Sequence, residues 1–214
     1  AQAAVERREQ ALRSDRDRLR IFAKAVGPVQ SVREAYPYYY RQLFSGKHLN
    51  LRTRSESRDP ELWQVQEALE DRKQGPGGGI LVTGEALSGK SYFLEYATRQ
   101  IFGGSYLKVI PPQGGATSPR ALQKAFEQAT GKRGTVTALL KECADSTVFL
   151  LEDIELWWQR GADQGQAFGQ LLEAVQAFGK RHVFLLSCNL NTLQVLRAQS
   201  PVDEAMIATV VLRP

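Results

Sequence analysis

Residues 80–91 read ILVTGEALSGKS, and this stretch decides how the rest of the chain is interpreted. From Gly84 to Ser91 it fits G-x-x-x-x-G-K-[ST], the Walker A pattern of a phosphate-binding loop. An apolar strand, Ile80–Thr83, is predicted to lead into the loop, and a helix, Lys90–Phe102, to follow it. Glycines at both ends of the loop let successive backbone N–H groups point at phosphate oxygens. We therefore predict a nucleotide site at this turn.

Different residues of the loop are predicted to bind the phosphates and the metal ion. Lys90 supplies a point charge for the β- and γ-phosphates, and the Ser91 hydroxyl ligates Mg²⁺. The positive N-terminal end of the helix adds to the attraction for phosphate. The predicted cofactors are therefore ATP and Mg²⁺. The predicted nucleotide contacts are Gly84, Glu85, Ala86, Leu87, Ser88, Gly89, Lys90, Ser91 and Tyr92.

An acidic pair follows a later apolar strand, in the stretch TVFLLED at residues 147–153. One carboxylate would hold Mg²⁺ through a water, and the other would orient or deprotonate the attacking water. We assign Glu152, which ends the strand, to the metal, and Asp153 to the catalytic water. An alternative is that Asp153 only caps the segment Ile154–Gln159, since aspartate is common at helix starts.

A polar residue also stands at the end of the next predicted strand, in VFLLSCN at residues 183–189. Asn189 would lie beside the γ-phosphate and the attacking water, where its amide can both donate and accept hydrogen bonds. We predict a catalytic role for it. The alternative is that Asn189 starts a turn or caps the helix that follows.

The pattern after residue 79 alternates short apolar runs with amphipathic stretches. Such alternation is typical of βαβ units around a parallel sheet. We predict an α/β fold, a three-layer αβα sandwich with a central parallel five-stranded sheet. The predicted strands are Ile80–Thr83, Tyr106–Ile110, Val148–Leu151, Val183–Ser187 and Ala208–Leu212. The predicted helices after the loop are Lys90–Phe102, Pro119–Thr130, Thr135–Ala144, Gln164–Gly179 and Thr192–Gln199.

The first part of the chain differs in composition. Residues 1–58 hold 13 Lys and Arg against 6 Asp and Glu, within a total net charge of +5. We predict an N-terminal helical extension over residues 1–56 and the P-loop core over 57–214, with a helix at Pro60–Lys73 before the breaker Gly75–Gly79. The basic extension is either a contact surface for a polyanion or membrane, or a solvated helix face. The aromatic cluster Tyr36–Arg41 either stacks on a ring system or forms a packing patch.

Composition excludes several classes of protein. The chain of 214 residues is 43% hydrophobic and 24% charged, which excludes a collagen-like or wholly disordered chain. No apolar run approaches the ~18–20 residues of a membrane span. Two cysteines and no His/Cys cluster argue against a disulfide scaffold and predict a cytoplasmic location. The absence of an initial methionine indicates a piece of a longer protein.

The loop, the acidic pair and Asn189 together resemble the AAA+ class of P-loop ATPases and the related STAND signalling ATPases, both of the ASCE division. The resemblance covers residues 57–212. Upstream, Ser57–Leu62 reads SRDPEL and is similar to the G-R-E-x-E-L box of initiator-like AAA+ and STAND proteins. That box helps form the adenine pocket in those families, which implies that Arg58 contacts the nucleotide.

Three departures from the family pattern bear on hydrolysis. The acidic pair reads Glu152–Asp153, whereas the family has Asp-Glu or Asp-Asp. The arginine finger would precede the last strand, where this chain has Asp203–Ile207, and the nearest candidate, Arg197, fits poorly. The helical lid with the second sensor arginine would follow Pro214. The resemblance therefore implies slow or partner-dependent hydrolysis, and weak activity for these residues alone.

The prediction for function is an ATP- and Mg²⁺-binding module of a larger regulatory or assembly protein, a weak ATPase if it is an enzyme. It would self-associate or bind a partner protein, for which one of Trp157 and Trp158 is a candidate contact. One alternative is a nucleotide-dependent scaffold or switch that does not hydrolyse ATP. Another is a loader-type ATPase that acts on nucleic acid.

Overall fold

The computed structural model describes residues 58–111, 118–158 and 165–213. The predictions for the N-terminal extension, including its helices, the aromatic cluster and the boundary after residue 56, lie outside the described residues. Within them, no helix is long and apolar enough to cross a bilayer.

Five parallel strands form one sheet, as predicted. The spatial order is β2-β3-β4-β1-β5, so the strand carrying Asn189 lies between the loop strand and the strand that precedes the acidic pair. The strands are β1 (Gly79–Gly84), β2 (Leu107–Val109), β3 (Val148–Leu151), β4 (Val183–Asn189) and β5 (Met206–Leu212).

Six α-helices occur in the described part of the chain. They are α1 (Asp59–Gln74), α2 (Lys90–Phe102), α3 (Pro119–Thr130), α4 (Val136–Glu142), α5 (Gln166–Phe178) and α6 (Leu190–Gln199). Two short 3-10 helices cover Ile154–Trp157 and Asp203–Ala205. Helix α4 is shorter than predicted because Thr135 is its N-cap and accepts a hydrogen bond from the Ala138 N–H at 3.3 Å.

Two buried apolar clusters cover the two faces of the sheet. Strand β3 divides its side chains between them, because successive residues of a strand point to opposite faces. Phe149 and Leu151 pack in the cluster that includes residues of α3, α4 and α5. Val148 and Leu150 pack in the cluster that includes residues of α1 and α2. The arrangement is the predicted three-layer αβα sandwich.

The glycine run before β1 passes close to the turn before β4. A Cβ atom on Gly179 would lie 2.1 Å from the backbone N of Gly78, which is closer than atoms can approach. Arg72, near the end of α1, donates from one guanidinium nitrogen to the carbonyls of Gly179 at 3.1 Å and His182 at 2.5 Å. The glycine run after α1 therefore ends that helix and also allows the backbone at Gly78 to approach Gly179 closely.

Candidate nucleotide-binding site

The strand order brings the three predicted motifs to one edge of the sheet. Parallel strands end at the same edge, and ligands of open α/β sheets bind beyond these carboxyl ends. In the register of β1 and β4, Gly84 lies opposite Asn189. In the register of β3 and β4, Leu151, the last residue before the acidic pair, lies opposite Leu186. The loop, Asn189 and the acidic pair are thus neighbours.

The loop is tightly curled and leaves no room for side chains at its start. A Cβ atom on Gly84 would lie 2.5 Å from the Ser88 Oγ and 2.8 Å from the Leu212 carbonyl oxygen. Gly89 is the N-cap of α2 and has a φ of 85°, in the left-handed region that glycine adopts at little cost. Leu87 also has a positive φ, 66°, and its side chain is fully exposed at the tip of the loop.

The polar groups of the loop fit a phosphate ligand. Lys90 Nζ donates to the carbonyls of Gly84 at 3.2 Å and Glu85 at 2.8 Å, so its charge lies over the loop. The side-chain oxygens of Thr83 and Ser88 are buried and have no hydrogen-bond partner among the described residues. Buried hydroxyls usually have a partner, so these two fit a site that gains one from its ligand. Ser91 is exposed in the first turn of α2.

Glu152 lies on the side of the sheet that faces α2. It continues the alternation of Val148 and Leu150, which pack in the same apolar cluster as residues of α2. Its carboxylate lies 2.5 Å from the Nζ of Lys108, a residue of β2. Ser91 and Glu152 supply a hydroxyl and a carboxylate, which are oxygen groups of the kind that binds Mg²⁺.

Asp153 does not continue the alternation of side chains between the two faces of the sheet, because the chain turns out of β3 at this residue. Its backbone is left-handed, with φ 50° and ψ 56°, and its N–H donates to the buried hydroxyl of Ser187 at 3.0 Å. Asp153 precedes the 3-10 helix Ile154–Trp157, but its side chain makes no capping hydrogen bond. The geometry therefore lends no support to the alternative that this aspartate serves only as a cap.

Asn189 does cap the helix that follows it. Its Oδ1 accepts a hydrogen bond from the Asn191 N–H at 3.0 Å, which is why α6 begins at Leu190, two residues earlier than predicted. Its own N–H donates to the Oε1 of Glu155 at 3.0 Å. The cap uses only the oxygen end of the side-chain amide, so a second role for its NH₂ group is compatible with this structure.

Three residues at the site were missed in the sequence: Lys108, Glu155 and Ser187. Lys108 was detectable in principle, because a charged residue interrupts the apolar pattern of a three-residue strand. Ser187 and Glu155 carry no local signal, since their partners are 34 residues away. Cys188 lies beside Glu155, and burial, together with that carboxylate, raises the pKa of its thiol.

Arg58 connects the two ends of the described core. Its Nη1 donates to Glu61 Oε1 at 3.1 Å and to the carbonyl of Arg213 at 3.0 Å. In α2, the rings of Tyr92 and Tyr96 stack with their centroids 6.3 Å apart. Burial and a hydrogen bond to Asp59 raise the pKa of Tyr96, so the start of α1 lies beside the first turns of α2.

Arg197 is held in an intramolecular ion pair. Both its Nε and Nη2 lie within 2.9 Å of Oδ1 of Asp203. Of the two tryptophans after the acidic pair, Trp157 is fully buried in the core, and Trp158 is half-buried and packs against it.

Comparison with protein-family models gives no match, and neither does comparison with curated proteins. Solved structures do match. The ORC1 protein of Aeropyrum pernix in complex with DNA aligns with a TM-score of 0.56 and 17% identity, over 77% of this chain and 47% of that one. Cdc6p of Pyrobaculum aerophilum aligns with a TM-score of 0.57 and 13% identity, over 81% and 49%.

The A. pernix ORC2 protein, described as ADPNP-ADP complexes, aligns with a TM-score of 0.55 and 15% identity, over 80% of this chain and 51% of that one. The present chain thus spans about half the length of each of these structures. At these identities the likeness concerns the fold. These neighbours have the fold of AAA+ proteins, an α/β fold around a parallel sheet, and the chain shares that fold.

Proposed function

We propose that this chain is an ATP- and Mg²⁺-binding AAA+-like module of a larger regulatory or assembly protein, with slow or partner-dependent ATP hydrolysis. The observation that carries the proposal is the meeting of the loop, the acidic pair and Asn189 at one sheet edge, with Gly84 opposite Asn189. The nucleotide complexes named for the A. pernix ORC2 protein support it by analogy of fold.

The phosphates of ATP would lie in the loop between Gly84 and Ser91. Lys90 now donates to two loop carbonyls. A phosphate is a stronger partner for an ammonium than a neutral carbonyl, because both groups are charged. Lys90 would therefore turn toward the β- and γ-phosphates. Mg²⁺, held by Ser91 and Glu152, would neutralise phosphate charge.

The base of the nucleotide would lie near the start of α1 and the first turns of α2. Arg58, at this end of α1, is tied to Arg213 after β5. The ring of Tyr96, which stacks on that of Tyr92, is hydrogen-bonded to Asp59 at the same end of α1. Aromatic rings and a guanidinium are groups on which a purine stacks. On this proposal, the predicted contacts Arg58 and Tyr92 would lie near the adenine.

Hydrolysis would depend on Asp153 and Asn189. Asp153 would orient the attacking water, and the amide NH₂ of Asn189 would contact the γ-phosphate. An arginine finger can contribute ~10³–10⁵ to the rate where one operates. Arg197, the nearest candidate in the sequence, is paired with Asp203. We therefore expect very slow turnover by residues 1–214 alone.

A second candidate function is an ATPase that acts on nucleic acid. The observation that favours it is the likeness in fold to the A. pernix ORC1 protein, whose structure is a complex with DNA. The excess of basic residues in the first 58 residues is consistent with it. Binding to duplex DNA that weakens steeply with added salt would support this candidate.

The test of the main proposal is nucleotide binding by a Lys90→Ala variant. Lys90 supplies the loop's positive charge, so we expect ATP affinity, measured by calorimetry with Mg²⁺, to fall at least tenfold, or about 1.4 kcal/mol. Lys141→Ala, an exposed lysine on α4, is the matched control and should bind like the parent. Equal affinity for ATP in the Lys90 variant and the parent would contradict a phosphate-binding loop.

A further inference from the structure

Lys108 contacts the acid that is assigned to the metal. It lies in the middle of β2, and the register of β2 and β3 places it opposite Leu150, two residues before Glu152. Leu150 and Glu152 share the face of the sheet toward α2, and Lys108 belongs to the same face. Its Nζ lies 2.5 Å from the Glu152 Oε1.

This ion pair is partly withdrawn from water. The side chain of Lys108 is 34% exposed, and that of Glu152 is 18% exposed. The ammonium of Lys108 therefore stands directly against the carboxylate that is assigned to Mg²⁺.

We propose that Lys108 is a positioning residue that acts through Glu152: its ammonium neutralises this carboxylate when no metal is bound and competes with Mg²⁺ for it. The inference rests on the proposed function. Mg²⁺ is attracted by the negative charge of its oxygen ligands. A cation already on the carboxylate reduces that attraction. Lys108 therefore makes nucleotide binding less dependent on Mg²⁺ than the ligands Ser91 and Glu152 would by themselves.

The experiment measures how much Mg²⁺ improves nucleotide binding. The dissociation constant of ADP is determined by calorimetry in excess MgCl₂ and in EDTA. The readout is the constant in EDTA divided by the constant in MgCl₂, so a higher ratio means that Mg²⁺ improves binding more. Lys108→Met removes the charge but keeps the apolar stem. We expect it to raise the ratio about fivefold, since a partly exposed ion pair is worth up to about that factor. Lys108→Arg keeps the charge and should leave the ratio near the parent value.

Two controls separate the role of Lys108 from general effects. Lys141→Met removes an exposed lysine of α4 and should leave the ratio unchanged. In a Glu152→Gln background, Lys108→Met should also leave the ratio unchanged, because its partner is gone. Thermal melts check that each variant folds, and Lys108→Gln replaces the methionine variant if that one does not.

The outcomes distinguish the two proposals. If the parent chain binds ADP but the ratio in Lys108→Met is unchanged or lower, the role of Lys108 is wrong and the proposed function stands. The same increase in both backgrounds would also overturn it, because Lys108 would then not act through Glu152. A parent chain that binds no nucleotide under either condition would overturn the proposed function and this inference with it.

Discussion

At the scale of single residues, the order Glu152–Asp153 has a backbone reason. The second acid lies where the chain turns out of β3 in the left-handed region, with φ 50°. Aspartate and asparagine adopt this region more readily than other residues with side chains, because their short polar side chains bond locally. The Ser187 hydroxyl further holds the Asp153 N–H. The shorter acid therefore suits the second position, whereas the usual glutamate would be more strained there.

This geometry leads to a prediction for Asp153→Asn. Asparagine tolerates the left-handed backbone, and the Asp153 side chain makes no capping bond, so the melting temperature should stay near that of the parent. Nucleotide binding should be unchanged, while single-turnover ATP hydrolysis should fall about 10²-fold through loss of a general base. Calorimetry and a radiolabelled ATP assay measure the two effects.

Asp153→Glu is the companion variant. It restores the reach of the family's usual base but should cost roughly 1 kcal/mol or more of stability, as expected for strain in the left-handed region. If Asp153→Asn lowers the melting temperature and leaves hydrolysis untouched, the residue is structural and the catalytic assignment is wrong.

At the scale of helices and strands, hydrogen bonds from Arg72 connect α1 to the core. Its guanidinium donates to two carbonyls in the turn that precedes β4, those of Gly179 and His182. This contact therefore joins the last turn of α1 to the turn before β4. Burial lowers the pKa of Arg72, in keeping with its half-buried position.

We predict that Arg72→Met lowers the free energy of unfolding by about 2 kcal/mol, the range for hydrogen bonds to a charged group. Methionine keeps the apolar part of the side chain, so the loss of stability measures the hydrogen bonds of the guanidinium. Lys73→Met is the matched control, because its exposed pair with Glu70 should contribute less than about 1 kcal/mol. Urea denaturation measures both variants, and equal effects in the two would contradict the role given to Arg72.

At the scale of the whole molecule, a neutral histidine is built into the core. His182 is fully buried, its Nε2 donates to the Leu140 carbonyl at 2.8 Å, and its ring contacts Phe149, Phe178 and Phe184. Burial lowers its pKa, as does Arg181; the Leu140 hydrogen bond and Asp145 act in the opposite direction.

The sign of the pH dependence follows from this lowered pKa. In the unfolded chain the histidine binds its proton near pH 6.5, but in the folded core it does so only at lower pH. The unfolded state therefore gains protons first, and the stability due to His182 is present above pH 6.5 and is lost as the pH falls below it.

We predict that the free energy of unfolding decreases between pH 6.5 and 5 by up to about 1.4 kcal/mol per pH unit from this group. Urea denaturation at several pH values measures the slope. His182→Gln should reduce the slope, while His48→Gln, the chain's other histidine, is the control. An equal slope in parent and His182→Gln would show that other groups cause the dependence.

The sequence alone determined the elements and their order along the chain. The apolar runs around residues 80–83 and 148–151 become β1 and β3, because fully apolar strands need cover on both faces and the alternation with helices supplies it. Lys90–Phe102 and Pro119–Thr130 are helices with the predicted bounds. The loop motif, the acidic pair and Asn189 were also readable, since each is a short, contiguous pattern.

Only the tertiary structure decided how these elements meet. Strand order placed β4 between β1 and β3, and register placed Gly84 opposite Asn189. The contacts of Lys108 with Glu152, Ser187 with Asp153 and Glu155 with Asn189 each join residues far apart in the chain. Such contacts leave no local periodicity, because they depend on which strands become neighbours when both faces of the sheet are buried. The charge and backbone environment of the acidic pair therefore emerged only from the folded structure.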